Sequence, residues 1–137
     1  MHNIVIFCKT YSGDIERLVI LKKSIDRFNV EKIPFYISCP QKDRLLLETR
    51  TVTGKEEYEL RFVTDEQILS LDTDYEQSWY TQQIIKLSFY KLNICNFYIN
   101  IDSDAYFIKD FFISDFMFNE TVPYTIMKRC RGGGHLL

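Results

Sequence analysis

Residues 3–8 (NIVIFC) form a short and almost uninterrupted apolar run. A strand buried on one face only would alternate apolar and polar residues, so this run is typical of a strand buried on both faces, as in a parallel sheet. A polar loop at 9–13 (KTYSG) follows, and apolar residues then recur at helical spacing from Leu18 to Phe28. The chain therefore begins with a strand, a loop and an amphipathic helix, which is the repeating unit of α/β proteins.

The same alternation of strands and helices continues along the chain. Further strands are predicted at Ile33–Cys39, Leu60–Val63, Phe97–Ile101 and Tyr124–Met127. Helices are predicted at Gln41–Thr49, Thr64–Ile68 and Ser78–Asn96. The last helix is expected to be largely buried, because its apolar residues cover most of its circumference. The pattern predicts one α/β domain with a mainly parallel sheet over residues 1–130, followed by a disordered glycine-containing tail over residues 131–137.

The composition favours a folded domain without a nucleic-acid partner. Hydrophobic residues make up 46% of the 137 residues and aromatic residues 15%, which is enough apolar material for a core. Seventeen basic and nineteen acidic residues leave a net charge of -2, so there is no basic surplus that would attract nucleic acid. The N-terminus lacks the pattern of a signal peptide and no apolar stretch approaches the length of a membrane span, so we expect a soluble, cytoplasmic protein.

The cysteines are predicted to be free. They are widely spaced and form no C-x-x-C pair: Cys8, Cys39, Cys95 and Cys130. Cys8 and Cys39 each end an apolar run, where a thiol behaves as a small hydrophobic group. Reduced, structural cysteines are typical of cytosolic proteins.

Two carboxylates, Asp102 and Asp104, directly follow the strand predicted at Phe97–Ile101. If the extended geometry continues, residues two apart point to the same side, and their like charges favour a cation between them. Mg²⁺ and Mn²⁺ prefer oxygen ligands, commonly one or two carboxylates completed by water and phosphates. Such an ion would stabilise a departing nucleoside diphosphate. D-x-D sequences also occur in surface loops and helix caps, but the apolar runs on both sides (FYINI and AYFI) favour a site.

Three segments of the chain resemble one class of enzymes. They are residues 4–14 (IVIFCKTYSGD), 79–87 (WYTQQIIKL) and 98–107 (YINIDSDAYF), and their order and spacing extend the resemblance over residues 3–127. In these segments the chain resembles the GT-A glycosyltransferases, specifically the bacterial type associated with surface-polysaccharide synthesis. The resemblance implies a Rossmann-like sheet, Mn²⁺ or Mg²⁺ as cofactor, and transfer of a sugar from a nucleotide-sugar donor to a saccharide or lipid-linked acceptor.

The resemblance also implies roles for individual residues. Asp104 would be the principal metal ligand, while Asp102 would contact the ribose or share the metal through water, and Ser103 would belong to the donor site. Thr10 and Tyr11, in the loop after the first strand, would lie against the nucleoside. Both segments follow predicted parallel strands, and ligands of open parallel sheets bind outside the carboxyl ends of the strands.

The long predicted helix adds three polar candidates to the donor site. Gln82 and Gln83 lie four and three residues before Lys86, so each shares a helical face with it. Lys86 could meet a phosphate, and either glutamine could hydrogen-bond to sugar hydroxyls. The alternative is that all three form a solvent-facing stripe. Trp79, in the same helix, is expected to be part of the core rather than a platform for a sugar ring.

The end of the chain departs from the GT-A pattern. Only residues 105–137 follow the D-x-D motif, whereas GT-A enzymes continue with a half that binds the acceptor and supplies any catalytic base. The chain therefore looks truncated, and no catalytic residue is predicted. Five phenylalanines would then be left uncovered and would favour a homo-oligomer: Phe107, Phe111, Phe112, Phe116 and Phe118. The alternative is that these rings fold back into the chain's own core.

Two other functions stay open at the level of sequence. A haloacid-dehalogenase-type phosphatase also carries a D-x-D after a strand, but on an early strand and with far more chain downstream. A truncated domain that binds a nucleotide or a partner protein without turnover would fit the short segment after the motif.

Overall fold

The computed structural model describes residues 1–70 and 78–124 of the chain. In that part, four strands form one all-parallel sheet with the order β3-β2-β1-β4. The strands are β1 (His2–Lys9), β2 (Phe35–Cys39), β3 (Leu60–Thr64) and β4 (Cys95–Asn100). The helices are α1 (Ile15–Phe28), α2 (Arg44–Thr51), α3 (Asp65–Leu69) and α4 (Trp79–Ser88). This arrangement is Rossmann-like, and the predicted α/β fold class is confirmed.

Strand β1 lies inside the sheet and is buried on both faces. Ile4 and Ile6 pack in the layer that contains α1 and α2, whereas Val5 and Phe7 pack in the layer that contains α4. Successive side chains of a strand point to opposite faces, so one uninterrupted apolar run supplies both layers. The interpretation of residues 3–8 as a doubly buried strand is confirmed.

Local side-chain hydrogen bonds determine where two of the helices begin. The Thr64 hydroxyl accepts a hydrogen bond from the Gln67 backbone N–H (3.1 Å), and the Gln67 side chain accepts one from the Thr64 N–H (2.8 Å). This reciprocal capping box starts α3 directly after β3. At α4, the Ser78 hydroxyl accepts a hydrogen bond from the Thr81 N–H at 3.1 Å.

The helix predicted at Ser78–Asn96 is too long. Helix α4 ends at Ser88 and continues as a short 3₁₀ turn, Phe89–Leu92, after which Asn93 has a left-handed backbone with φ of 53°. Asparagine tolerates this conformation, which commonly ends a helix. Cys95 then pairs with His2, so β4 covers Cys95–Asn100 rather than Phe97–Ile101.

Helix α4 is also less buried than predicted. Ile85 and Ser88 are buried, but Tyr80, Ile84 and Leu87 are each more than half exposed. Only one face of α4 packs against the sheet, and nothing in residues 1–70 and 78–124 covers its outer face.

The five phenylalanines after the D-x-D motif are divided between the core and the surface. Phe111 is 4% exposed, Phe107 stacks on it with the ring centres 3.8 Å apart, and Phe116 packs against the same core. The Phe111 N–H donates to the Phe28 carbonyl (3.0 Å), which ties this segment to the end of α1. Phe112 and Phe118 remain exposed. Three of the five rings thus fold back into the chain's own core, while the homo-oligomer stays a prediction.

The remaining predictions concern the cysteines, the membrane and the end of the chain. Cys8, Cys39 and Cys95 are buried and free, as predicted, while Cys130 lies outside the described residues. Among the described helices, none has the length and apolarity that crossing a bilayer requires. Tyr124 belongs to no strand, and the rest of the strand predicted at Tyr124–Met127 lies outside the described residues, as does the tail at 131–137.

Candidate functional site

The loops that follow β1 and β4 lie side by side at one edge of the sheet. The two strands are parallel neighbours, with Phe7 paired to Asn100, and the Ile101 N–H donates to the Phe7 carbonyl at 2.9 Å. Because both strands end at this edge, the β1 loop and the D-x-D motif face a common space. Helix α4 packs against the same end of β1 and contributes the third wall.

A cavity of about 240 Å³ opens between these three segments. Eight of its lining residues are the ones that the sequence predicted for the donor and metal sites: Thr10, Tyr11, Gln82, Gln83, Lys86, Asp102, Ser103 and Asp104. Four others were not predicted: Lys9, Asp14, Arg17 and Trp79. Residues that are far apart in the sequence are therefore brought together at the carboxyl edge of the sheet.

The D-x-D motif forms a tight turn rather than an extension of β4. The Ala105 N–H donates to the Asp102 carbonyl at 3.0 Å, which closes the turn. Ser103 is 7% exposed and its hydroxyl donates to the Asp14 carboxylate (3.2 Å), whereas the carboxylates of Asp102 and Asp104 are exposed. The expectation of continued extended geometry was wrong, because the chain leaves the sheet at Asn100.

The two carboxylates of the motif differ in their partners. The Lys86 ammonium lies 2.7 Å from Asp102 Oδ1, and this lysine side chain is only 18% exposed. Asp104 has no hydrogen-bond or ion-pair partner among residues 1–70 and 78–124. Within the described residues, the motif thus carries one neutralised carboxylate, Asp102, and one carboxylate without a partner, Asp104.

Lys9, which lines the cavity, belongs to a buried ion pair. Lys9 Nζ lies 2.9 Å from Asp65 Oδ2 and donates to the Thr10 carbonyl at 2.6 Å. The Ser38 hydroxyl donates to the other oxygen of the same carboxylate. Lys9 ends β1, Ser38 lies in β2 and Asp65 begins α3 directly after β3, so the network fixes the position of the β1 loop relative to the sheet. The Thr10 hydroxyl oxygen is buried and lacks a partner in the described part of the chain.

The β1 loop is held by hydrogen bonds to its backbone and by a close ring contact. The Ser12 N–H donates to Asp43 Oδ2 at 3.0 Å, and the Asp14 N–H donates to the Tyr11 carbonyl at 3.1 Å. The Tyr11 ring lies directly over Gly13, where a Cβ atom would stand only 2.4 Å from a ring carbon. Glycine is therefore required for the Tyr11 ring to occupy this position.

Trp79 was predicted to be part of the core, and this prediction was wrong. Its side chain is 68% exposed at the start of α4, where it lines the cavity and meets Tyr80 edge-to-face with the ring centres 5.3 Å apart. The helix presents this position beside Gln82, Gln83 and Lys86, toward the cavity. The side chain of Trp79 lies on the same side of α4 as the polar candidates, and this placement explains its exposure.

The side chains of the cavity fit a divalent cation only in part. No group of three or more histidine, cysteine, aspartate or glutamate side chains that could hold a metal occurs within the described ranges. Mg²⁺ and Mn²⁺ nevertheless bind commonly through one or two carboxylates, with water and phosphate oxygens as the remaining ligands. Asp102 and Asp104 meet that requirement as oxygen donors in a cavity that has room for a phosphate ligand.

The comparison with known proteins identifies the family of this chain but no function for it. No curated protein matches the sequence. Residues 3–132 match a family described as a family of unknown function, DUF6492. Because this match covers almost the whole chain, the protein belongs to the DUF6492 family.

Proposed function

We propose that this chain is the nucleotide-sugar-binding part of a metal-dependent glycosyltransferase. The observation that carries the proposal is the convergence of three distant segments, 10–11, 82–86 and 102–104, on one cavity at the carboxyl edge of a parallel sheet. Ligands of open α/β sheets bind at this edge. The resemblance to GT-A enzymes rests on the same three segments.

The charges of the cavity suit a diphosphate bound together with a cation. Lys86 and Arg17 supply positive charge, while Asp102 and Asp104 supply oxygen ligands for a divalent ion. A divalent ion held there would neutralise negative charge that develops on a departing nucleoside diphosphate. Lys86 and Arg17 would bind the phosphates directly, because an ammonium or a guanidinium forms charge-assisted hydrogen bonds with phosphate oxygens.

Neutral groups of the cavity suit the remaining parts of a nucleotide sugar. Gln82 and Gln83 each offer an amide donor and acceptor, which is the chemistry that orients sugar hydroxyls. The Tyr11 ring lies in the β1 loop and offers a ring contact to the nucleoside. The Thr10 hydroxyl, which has no partner in the described part of the chain, offers a hydrogen bond. A buried hydroxyl without a partner is costly, so a ligand that satisfies it gains affinity.

The proposal covers donor binding and not acceptor activation. The carboxylates that line the cavity are Asp14, Asp102 and Asp104. Asp14 accepts hydrogen bonds from Ser103 and Arg17, and the other two are the proposed metal ligands. We therefore assign no catalytic base for the acceptor among the described residues of the cavity.

We also propose a cytoplasmic location, since buried free thiols fit a reducing compartment.

The proposal is tested by nucleotide binding with and without metal. UDP, GDP, ADP and CDP are screened by thermal shift with Mn²⁺ or with EDTA, and the best nucleotide is titrated by calorimetry. The Asp104→Ala variant is expected to weaken Mn²⁺-dependent binding at least about tenfold, equivalent to about 1.4 kcal/mol. Asp110→Ala is the matched control, because Asp110 is an exposed aspartate outside the cavity. Both variants should keep the melting temperature of the parent.

Other outcomes would favour other functions. Binding of a nucleoside diphosphate without transfer or donor hydrolysis favours a non-catalytic nucleotide-binding domain. Release of phosphate from a simple phosphate ester, without any nucleotide sugar, favours a haloacid-dehalogenase-type phosphatase. If Asp104→Ala binds the nucleotide as well as the parent does, the proposed metal site is wrong.

A further inference from the structure

We propose that Lys86 occupies the place of a divalent cation at Asp102 and releases this carboxylate only when a diphosphate enters the cavity. Metal and diphosphate would then each depend on the other for tight binding, with Lys86 as the residue that couples them. The inference rests on the proposed function.

The first support is the contact between the two side chains. Lys86 Nζ lies 2.7 Å from Asp102 Oδ1, which is hydrogen-bonding distance for a charged pair. An ammonium at this distance neutralises the carboxylate and occupies an oxygen that a metal would need. A divalent ion at Asp102 would also meet the positive charge of Lys86 at close range, and like charges repel.

The second support is the small number of carboxylates. The described residues include no cluster of three potential metal ligands. While Lys86 neutralises Asp102, Asp104 is the carboxylate of the motif that remains without a partner in the described chain. One exposed carboxylate is a weak site for Mg²⁺ or Mn²⁺, which otherwise complete their coordination with phosphate oxygens. The protein alone therefore holds metal weakly while Lys86 stays on Asp102.

The third support is that the lysine side chain can move while its helix stays in place. The Tyr98 hydroxyl donates to the Lys86 carbonyl at 2.7 Å, which anchors the last turn of α4 to β4. The Tyr98 ring itself packs edge-on against Phe7 and Phe89 in the core. The ammonium stands at the end of a flexible four-carbon stem, so it can leave Asp102 without a movement of the backbone.

The cavity offers Lys86 a second place to bind. Lys86 and Arg17 both line it, and Arg17 is exposed and only weakly tied to Asp14 at 3.5 Å. A diphosphate in the cavity carries several negative charges and would attract the ammonium away from the single charge of Asp102. The freed Asp102 would then join Asp104 in binding metal. By thermodynamic linkage, metal at Asp102 must favour diphosphate binding by the same factor.

The test separates metal from diphosphate and compares opposite variants. Mn²⁺ binding without any phosphate is measured by electron paramagnetic resonance, and inorganic pyrophosphate binding in EDTA is measured by calorimetry. Lys86→Met is expected to bind Mn²⁺ alone at least tenfold more tightly than the parent and pyrophosphate more weakly. Asp102→Asn is expected to bind pyrophosphate more tightly than the parent, because it frees Lys86 for the phosphates. The same variant is expected to bind Mn²⁺ alone more weakly.

One control variant accompanies the test, and two results would contradict the coupling. Lys91→Met removes an exposed lysine from the 3₁₀ turn after α4, outside the cavity, and should change neither titration. If the ion pair had only a structural role, both variants would bind both Mn²⁺ and pyrophosphate more weakly than the parent. That result overturns the coupling. Mn²⁺ binding that does not tighten in Lys86→Met also overturns it and leaves the proposed function standing. If neither the parent nor any variant binds Mn²⁺ or pyrophosphate, the proposed function and this inference both fail.

Discussion

Lys9 and Asp65 form an ion pair that is almost completely shielded from solvent. Their charged atoms are 2.9 Å apart, and the two side chains are 1% and 0% exposed. Removing charges from water is expensive, so such a pair persists only when each partner compensates for the other. The Ser38 hydroxyl also donates to the Asp65 carboxylate, and Lys9 Nζ also donates to the Thr10 carbonyl.

The first prediction follows from this pair. Lys9→Met removes the ammonium that lies 2.9 Å from the buried Asp65 carboxylate, so we expect the free energy of unfolding to fall by about 3–5 kcal/mol. The double variant Lys9→Met/Asp65→Leu removes both charges and should recover much of the loss. Urea unfolding measures both variants. Lys32→Met, at the exposed Lys32–Glu57 pair, is the control and should change little. A double variant less stable than Lys9→Met would contradict the explanation.

The second prediction concerns the ring above Gly13. In Gly13→Ala the new Cβ atom would stand within 2.4 Å of the Tyr11 ring, so the ring must move. Because the ring is the free end of a side chain, stability should hardly change, while affinity for the nucleoside diphosphate falls severalfold. Ser12→Ala adds no atom against the ring and is the matched control. Calorimetry compares the two variants, and equal affinities would show that the ring does not contact the nucleotide.

The third prediction is a loss of stability in acid that comes from Glu56. Burial alone would raise its pKa, but hydrogen bonds from Lys22 and Thr53 outweigh burial and lower the pKa from 4.5 to about 2. A carboxyl whose pKa is lower in the folded state stabilises the fold above its unfolded pKa and ceases to do so as the pH falls through the folded pKa. Between pH 4.5 and 2 the free energy of unfolding should therefore fall by up to about 3 kcal/mol from this group.

The variant Glu56→Gln checks this assignment. It should be less stable than the parent at pH 7, and its stability should change less between pH 4.5 and 2. Urea unfolding at a series of pH values gives both curves. Curves that stay parallel through this range would mean that the acid sensitivity comes from other carboxyls.

The fourth prediction concerns the reactivity of the thiols. Burial raises the pKa of Cys8 to about 12, with the Asp102 carboxylate as a further cause, and burial also raises the pKa of Cys39 to about 12 and that of Cys95 to about 11. Thiolates are the reactive form, so these three residues should resist iodoacetamide at pH 8 in the native protein. Peptide mass spectrometry identifies the labelled sites. Denatured, non-reduced protein should show four thiols, and an intramolecular disulfide would contradict the prediction.

The features that could be predicted from the sequence are those that depend on local patterns of residues. The run at 3–8 contains enough apolar residues for two layers, and this alone indicates a doubly buried strand. The D-x-D motif and the β1 loop follow strands, so the topology of a parallel sheet brings them to one edge. The helix spacing of Gln82, Gln83 and Lys86 puts these residues on one side of α4, and that side lines the cavity.

Features that depend on distant partners were missed. The predicted end of α4 was wrong because the residues after Ser88 keep a helical pattern in the sequence. The pairing of Cys95 with His2 instead draws the chain from Cys95 onward into the sheet. The Lys9–Asp65 pair joins the end of β1 to the start of α3, which follows β3 on the far side of β2, and neither residue stands out in its own segment. The exposure of Trp79 depends on which side of α4 meets the cavity, and hydrophobicity alone favours the core for such a residue.

The position of β1 between β2 and β4 has a consequence for the synthesis of the chain. β2 can pair with β1 soon after residue 39 has been made, but the other edge of β1 waits for Cys95–Asn100. At about 5–20 residues per second, this edge stays open for several seconds in each nascent chain. An apolar strand with an open edge is a template for pairing with other chains. Until β4 has been made, pairing with another chain at this edge therefore competes with folding of the domain.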